Sequence, residues 1–367
     1  MSGKENKYRF LFAGGGTGGH LFPAVAVAEK IKSLVPEAEI LFIGTKTKIE
    51  GKIVPELGYK FSPIWIKGFA RKFNTENLLF PLKLFVSVIQ SIVINMKFKP
   101  KVAIGTGGYV SGPAIFGASI MGAKIILLEQ NSYPGVTTRL LENYADEIHI
   151  SFEDSKKYFR DEEKLFLTGN PVRESLKRIP KKEALNYFGF NGNKKTLFAV
   201  GGSLGARAIN EAMASAVKDF EKSSVQVIWQ TGKNGYEGFK NFASENIKVF
   251  PFIDRMNIAY SACDLLLARA GGITIAELLT LGIPCILVPS SNVAENHQYY
   301  NAKSLLDNEA AILIDETDLK GMISDRIISL LNDEKKLFAL SSNALNLAKP
   351  NAANIIAQNA IKYAEAV

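Results

Sequence analysis

Twice in its 367 residues the chain runs a short apolar strand into a glycine-rich turn and then a helix. Phe10–His20 reads FLFAGGGTGGH and Leu197–Arg207 reads LFAVGGSLGAR. A strand that is apolar at every position has no solvent face. It belongs in a parallel sheet covered on both sides, with helices as the crossovers. Around the first opening, strands are expected at Tyr8–Ala13, Glu39–Gly44, Val102–Gly105, Lys124–Glu129 and Glu147–Ser151, with a helix over Pro23–Leu34. The pattern then restarts. Strands are expected at Lys195–Val200, Val225–Gln230, Lys248–Pro251, Leu265–Ala268 and Cys285–Val288, with a helix over Ala206–Phe220. A chain this long exceeds one comfortable core, so the expected fold class is α/β with two parallel-sheet domains.

The boundary is placed at Gly169-Asn170-Pro171, because the residue before proline is pushed out of the helical region. The basic stretch Arg178–Lys182 completes the linker. The expected division is therefore residues 1–170, residues 171–348, and a tail over residues 349–367. In that tail Pro350 interrupts two helical patterns, and the last helix, Asn351–Ala364, is expected to return to the first domain.

Forty-four Lys and Arg against 36 Asp and Glu leave a formal charge of +8. That excess favours phosphorylated substrates, an anionic membrane surface or nucleic acid. No nucleic-acid recognition motif supports the last, and no nucleic-acid partner is expected. Cys263 and Cys285 form no CxxC pair and lie in apolar runs, as buried thiols in a reducing compartment would. The polar start MSGKENKYRF lacks the apolar core of a signal peptide. Leu78–Phe98 comes nearest to a membrane span, but Pro81, Lys83, Gln90 and Asn95 interrupt it, so it is not expected to cross a bilayer. Its Leu82, Phe85, Val86, Ile89, Val93 and Met96 recur at helical spacing beside Lys83, Lys97, Lys99 and Lys101. Base rates favour a buried helix. With Trp65, Lys67, Phe69, Arg71 and Lys72 upstream, an interfacial patch is the competing reading.

Gly14–Gly19 satisfies GxGxxG, whose glycines bring backbone N–H groups to a pyrophosphate at a helix N-terminus. A dinucleotide site also needs a carboxylate after the second strand, and ILFIG instead runs into TKTK. A different phosphate ligand or a tight structural turn remains. His20 closes the loop, where a neutral imidazole offers a base near neutral pH; simple packing is the alternative. Gly201–Gly205 forms a second anion cradle or a second structural turn. In RAGGITIAE, Arg269–Glu277, a Gly-Gly turn leads a helix whose Glu277 has the chemistry to accept hydrogen bonds from both ribose hydroxyls. The helix dipole alone would also favour a carboxylate there. Glu295–Asn301, ENHQYYN, gathers amides suited to sugar hydroxyls, or begins a solvated helix.

GGTGGH (Gly15–His20), GTGGYVSGP (Gly105–Pro113), EQN (Glu129–Asn131), GNPVR (Gly169–Arg173), GGSLGAR (Gly201–Arg207), RAGGITIAE and HQYYNA (His297–Ala302) follow one another over nearly the whole chain. Together they resemble the MurG family of glycosyltransferases. That resemblance implies a GT-B fold, two Rossmann-like domains facing across a cleft. It implies an inverting transfer of GlcNAc from UDP-GlcNAc to the C4 hydroxyl of MurNAc in undecaprenyl-pyrophosphoryl-MurNAc-pentapeptide (lipid I), giving lipid II for peptidoglycan. It implies no cofactor, no metal and a peripheral place on the cytoplasmic face of the membrane. By the same resemblance His20 is the base. Thr17, Gly18, Gly19 and Asn131 line the cleft, and Ser203 and Arg173 contact the UDP part. Ile253 meets uracil through its backbone. Gly272, Ile273, Thr274, Ile275, Ala276 and Glu277 hold the phosphates and ribose, and Gln298 holds the sugar. Gly15, Gly16, Gly107, Gly108 and Tyr109 form an acceptor or phosphate loop. The chain departs from the family at Leu128, before Glu129, where a histidine is common, and at Ala268, before Arg269, where a serine is common. Leu128 removes any acid–base role for that position. A transferase with another UDP-sugar or lipid acceptor, a UDP-GlcNAc 2-epimerase and a noncatalytic membrane-docking subunit are the alternatives.

Overall fold

A computed structural model describes residues 8–68, 78–291, 293–319 and 321–366. Phe69, Arg71 and Lys72 of the expected interfacial patch lie outside the described residues. Two compact units form: one runs to Arg173 and resumes at Lys349, and the other is Glu174–Ala348.

In the first unit the strands are β1 (Arg9–Ala13), β2 (Glu39–Gly44), β3 (Lys60–Pro63), β4 (Val102–Gly105), β5 (Lys124–Glu129), β6 (Glu147–Ile150) and β7 (Leu165–Leu167). They make one parallel sheet in the order β3-β2-β1-β4-β5-β6-β7. Its helices are α1 (Gly18–Leu34), α2 (Ile49–Glu56), α3 (Phe80–Phe98), α4 (Ser111–Ile120) and α5 (Val136–Leu141). Strand side chains alternate between faces, so β1 feeds two cores. Phe10 and Phe12 join Leu21, Val25 and Ile31 of α1, together with Ile356, Ala357 and Ala360 from the chain's last helix. Leu11 and Ala13 join Ala114, Ile115 and Ala118 of α4. Full burial on both faces explains why β1, β4 and β5 read as unbroken apolar runs. The edge strands β3 and β7 are short and partly exposed, so they carry little of that signature.

α3 corrects the buried-helix expectation. Its buried residues are Ser87, Ser91 and Asn95, one turn apart on a single face. Their donors bond to the helix's own carbonyls: Ser91 Oγ donates to the Ser87 carbonyl at 2.7 Å and Asn95 Nδ2 to the Ser91 carbonyl at 2.8 Å. Asn95 Nδ2 also lies 3.4 Å from the Ala114 carbonyl of α4. A Cβ placed on Gly117 would stand 3.1 Å from Ser91 Cβ, so small residues let α3 and α4 approach closely. Leu82, Phe85, Ile89, Val93 and Met96 are exposed, Phe85 to 64%. By length and composition this 19-residue helix is apolar enough to cross a membrane. Its polar stripe instead docks it onto α4.

The second unit has β8 (Thr196–Val200), β9 (Gln226–Gln230), β10 (Ile247–Phe250), β11 (Leu265–Ala268), β12 (Cys285–Leu287) and β13 (Ile312–Leu313). They are parallel in the order β10-β9-β8-β11-β12-β13. Its helices are α6 (Lys181–Tyr187), α7 (Arg207–Lys222), α8 (Tyr236–Phe239), α9 (Met256–Ala262), α10 (Gly272–Leu281), α11 (His297–Asp307), α12 (Ile323–Asn332) and α13 (Glu334–Leu347). Trp229 is fully buried in the core. Its indole N–H donates to Asn210 Oδ1 at 3.0 Å, and Asn210 Nδ2 donates to the Thr231 carbonyl at 2.8 Å, so no buried polar atom of that cluster is stranded. The last helix, α14 (Ala352–Ala366), belongs to the first unit.

Candidate active site

In each sheet the strand order reverses at one place, β1/β4 in the first unit and β8/β11 in the second. Beyond the carboxyl ends of the strands at such a reversal, the crossovers diverge and leave a crevice. The glycine segments of the sequence fall there. Gly14–His20 leaves β1 and Gly105–Tyr109 ends β4. Gly201–Gly205 leaves β8, and Arg269–Glu277 leaves β11.

α1 begins at Gly18, five residues before the expected Pro23, and accommodates Pro23 in its interior. Thr17 is the N-cap in extended conformation and its hydroxyl makes no capping bond. The first N–H groups of a helix have no intrahelical partner, so Gly18 and Gly19 head the crevice with theirs. His20 lies in this first turn. Its Nδ1 is 2.9 Å from the Thr106 carbonyl and 3.3 Å from Gln130 Oε1. Both are acceptors, so Nδ1 carries a proton, and in the neutral imidazole the lone pair is on Nε2. Thr106 Oγ1 donates back to the His20 carbonyl at 2.6 Å. Gly107 adopts φ +91°, and a Cβ there would stand 2.8 Å from His20 Nδ1. Only glycine leaves the ring room.

Beneath the first loop lies a residue that sequence reasoning missed. Glu50 is 1% exposed and accepts from Gly16 N–H at 2.9 Å, Thr45 N–H at 3.0 Å and Thr45 Oγ1 at 2.6 Å. A Cβ on Gly15 would come within 2.4 Å of its carboxyl. Gly16 spends its N–H on a buried carboxylate, and Gly15 is small so that Glu50 fits. Tyr109 packs beside Gly16; burial raises its hydroxyl pKa, a Thr45 hydrogen bond opposes this, and nearby Glu50 adds to the rise.

Glu129 ends β5 fully buried. It accepts from Asn131 N–H at 3.0 Å, Asn131 Nδ2 at 3.3 Å and Gly135 N–H at 2.9 Å. Burial pushes its carboxyl pKa up, and these bonds with that of Thr138 offset part of the rise. Glu129 therefore shapes the loop that carries Asn131. Arg173 belongs to this first unit and stands 5.0 Å over the Phe22 ring of α1, which holds its charge beside the start of that helix.

In the second unit, α10 opens at Gly272 with Gly271 as N-cap and no side-chain cap. The N–H groups of Gly272, Ile273 and Thr274 head that helix, while Ile275 N–H already bonds to the Gly271 carbonyl at 2.9 Å. Ile275 is buried and Ala276 half-buried, so these two serve the helix more than the crevice. Asn301 Nδ2 donates to the Ala270 carbonyl at 3.2 Å and pins the turn. Glu277, in the second turn of α10, accepts from Tyr260 Oη at 2.8 Å. Ser203 is exposed in its turn after β8. Ile253 donates its N–H to Gln230 Oε1 at 2.9 Å. Gln298 lies in the first turn of α11, and its Oε1 accepts from Ser290 N–H at 2.9 Å. Cys263 and Cys285 are buried, with thiol pKa values pushed up to about 12 by burial. They are protonated packing groups, not nucleophiles.

Residues 10–150 match the glycosyltransferase family 28 N-terminal domain and residues 196–358 its C-terminal domain. The chain belongs to glycosyltransferase family 28. Among its relatives is the UDP-N-acetylglucosamine–N-acetylmuramyl-(pentapeptide) pyrophosphoryl-undecaprenol N-acetylglucosamine transferase of Flavobacterium psychrophilum, 43% identical over 362 residues and covered to 98% in both chains. The Bacteroides thetaiotaomicron protein of the same name is 43% identical over 370 residues, with 99% of each chain covered. The crystal structure of Acinetobacter baumannii MurG superposes with a TM-score of 0.76 at 25% identity, over 96% of this chain and 99% of that one. The two parallel-sheet units are those of a GT-B glycosyltransferase. In this family 28 chain the N-terminal match covers β1 to β6, with Glu50, Thr106 and Gln130, while the C-terminal match covers both glycine turns of the second unit.

Proposed function

We propose that the protein transfers N-acetylglucosamine from UDP-GlcNAc to the C4 hydroxyl of MurNAc in undecaprenyl-pyrophosphoryl-MurNAc-pentapeptide, converting lipid I to lipid II. The observation that carries this is the same at both switch points: an open helix N-terminus stands beside one residue of fitting chemistry, His20 at α1 and Glu277 near the start of α10. Full-length likeness to relatives of that printed name supports the substrates.

The second unit takes the donor. Glu277 accepts from the ribose and the N–H groups that open α10 bind the diphosphate. The Ile253 carbonyl faces the base, Ser203 joins the phosphates, and Gln298 donates to the sugar. In the first unit His20 Nε2 takes the proton of the C4 hydroxyl as its oxygen attacks the anomeric carbon. The bond from that carbon to the UDP oxygen breaks with inversion. The charge left on the β-phosphate is stabilised by helix N–H groups and Arg173. Thr17, Gly18, Gly19 and Asn131 border the base and position the acceptor or donor, with Gly107, Gly108 and Tyr109 alongside.

The acceptor is tethered to a lipid, and the exposed apolar face of α3 fits a peripheral station on an anionic bilayer. Leu82, Phe85, Ile89, Val93 and Met96 enter the interface, and Lys83, Lys97, Lys99 and Lys101 meet its headgroups. Trp65, 49% exposed with Lys83 5.7 Å from its ring, extends that face.

Calorimetric titration tests the donor half. Wild-type protein binds UDP, and Glu277→Ala weakens it by about tenfold to a hundredfold, the loss of a charged hydrogen-bond acceptor worth roughly 1.5–3 kcal/mol. Equal affinity in the two proteins removes Glu277 from the site.

A further inference from the structure

Arg269 and Glu316 have no part in the chemistry above, yet they form the most heavily bonded charged pair of the second unit. Arg269 stands between β11 and the Gly-Gly turn, where an arginine invites a phosphate role. Its Nη1 instead donates to the carbonyl oxygens of Val288 and Pro289, at 3.1 Å each. Its Nη2 pairs with Glu316 Oε1, and the side chains are only 14% and 21% exposed. Glu316 Oε2 accepts from Ser291 Oγ at 3.0 Å, with Ser291 N–H at 3.4 Å. The pair thereby ties Val288, Pro289 and Ser291, which flank Ser290 in the exit from β12. Ser290 donates its N–H to Gln298 Oε1.

That bond decides what Gln298 offers. An amide presents an acceptor and a donor that exchange by a half-turn. With Oε1 held by Ser290 N–H, Nε2 is the group left to offer. The turn feeding α11 needs such support, because Glu295 and Asn296 both sit at φ +53°, where residues other than glycine are strained. Burial raises the Glu316 pKa, but the hydrogen bond and charge of Arg269 outweigh it and hold the group below the usual carboxylate range, as a persistent ion pair requires.

We propose that Arg269 and Glu316 are positioning residues that fix the Gln298 amide as a hydrogen-bond donor to a hydroxyl of the donor's sugar, and so set recognition of the sugar separately from that of its nucleotide. The proposal rests on the donor reading of the second unit and adds residues outside its glycine turns.

The test is calorimetric titration of the full chain with UDP and with UDP-GlcNAc. Glu316→Ala is expected to leave the UDP Kd within about twofold and to weaken UDP-GlcNAc about five- to twentyfold, as loss of an aligned hydrogen bond does. Glu316→Gln keeps one oxygen for Arg269 and an amide N–H that Ser291 Oγ can accept from, and is expected to recover part of the loss. Glu316→Ala combined with Gln298→Ala is expected to bind no more weakly than Gln298→Ala alone. If Glu316→Ala fails to fold by thermal unfolding, Ser291→Ala is read instead, with a two- to fivefold loss confined to UDP-GlcNAc expected. Equal weakening of both ligands, weakening of neither, or effects that multiply in the double variant overturn the proposal. Wild-type protein that binds neither ligand overturns the donor reading beneath it.

Discussion

At the residue scale, His20 owes its tautomer to backbone, since the Thr106 carbonyl holds Nδ1–H and leaves Nε2 as the basic nitrogen. His20→Ala is expected to lower kcat about 10²- to 10⁴-fold, the range for loss of a general base, with UDP affinity unchanged. A variant with near wild-type turnover would remove the assignment. Gly107→Ala forces a Cβ against the ring at 2.8 Å at a φ of +91°, and a comparable fall in kcat with a loss of about 1–3 kcal/mol of stability is the expected result. The glycine motif and His20 were visible in the sequence because they are contiguous. Glu50 was not. It sits in IEGK, which reads as an ordinary solvated helix, and only the fold brings that carboxylate under Gly15 and Gly16. Thr106 and Gln130 lie inside or beside quoted motifs, but their bonds to His20 span 86 and 110 residues of sequence, and no local pattern encodes them.

Among the elements, α3 carries the clearest lesson about periodicity. Spacing shows that Leu82, Phe85, Ile89, Val93 and Met96 share a face, but not whether the face points in or out. Ser87, Ser91 and Asn95 are the residues that turn inward, and Gly117 on α4 is what makes room for them. Two variants separate the faces. Ser91→Leu is expected to destabilise the protein by about 1–3 kcal/mol through overpacking, read by urea unfolding. The double variant Phe85→Ser/Ile89→Ser is expected to keep its stability and lose sedimentation with anionic vesicles; unchanged binding would send the membrane contact elsewhere. The link from β6 to α14 is electrostatic. Glu147 takes bonds from His149 at 3.0 Å, Asn359 at 2.8 Å and Tyr363 at 3.2 Å. Burial raises the Glu147 pKa, but these bonds outweigh it and leave it lowered. A lowered carboxylate stabilises the fold above its unfolded pKa of about 4.5 and loses that contribution as pH falls through the folded value. Thermal unfolding across pH 5 to 3 is therefore expected to fall more steeply in wild type than in Glu147→Gln. Parallel curves would contradict the linkage.

For the molecule as a whole, the two-sheet plan was legible because buried parallel strands write themselves as apolar runs, and each sheet begins with one: Phe10–Ala13 and Leu197–Val200. The edge strands Lys60–Pro63 and Ile312–Leu313 escaped for the converse reason, being short and only partly buried. The glycine turns announced themselves through their spacing. Their place at the strand-order reversal of each sheet emerges only with the topology. In chemical terms the protein moves N-acetylglucosamine from UDP-GlcNAc to a lipid-linked acceptor. Purified full chain is incubated with UDP-GlcNAc labelled in its sugar and undecaprenyl-pyrophosphoryl-MurNAc-pentapeptide in anionic vesicles, and the lipid fraction is analysed. Label in a lipid-linked disaccharide with a β linkage, one UDP released per sugar transferred, is the result predicted here; UDP-GlcNAc consumed with no labelled lipid would contradict it.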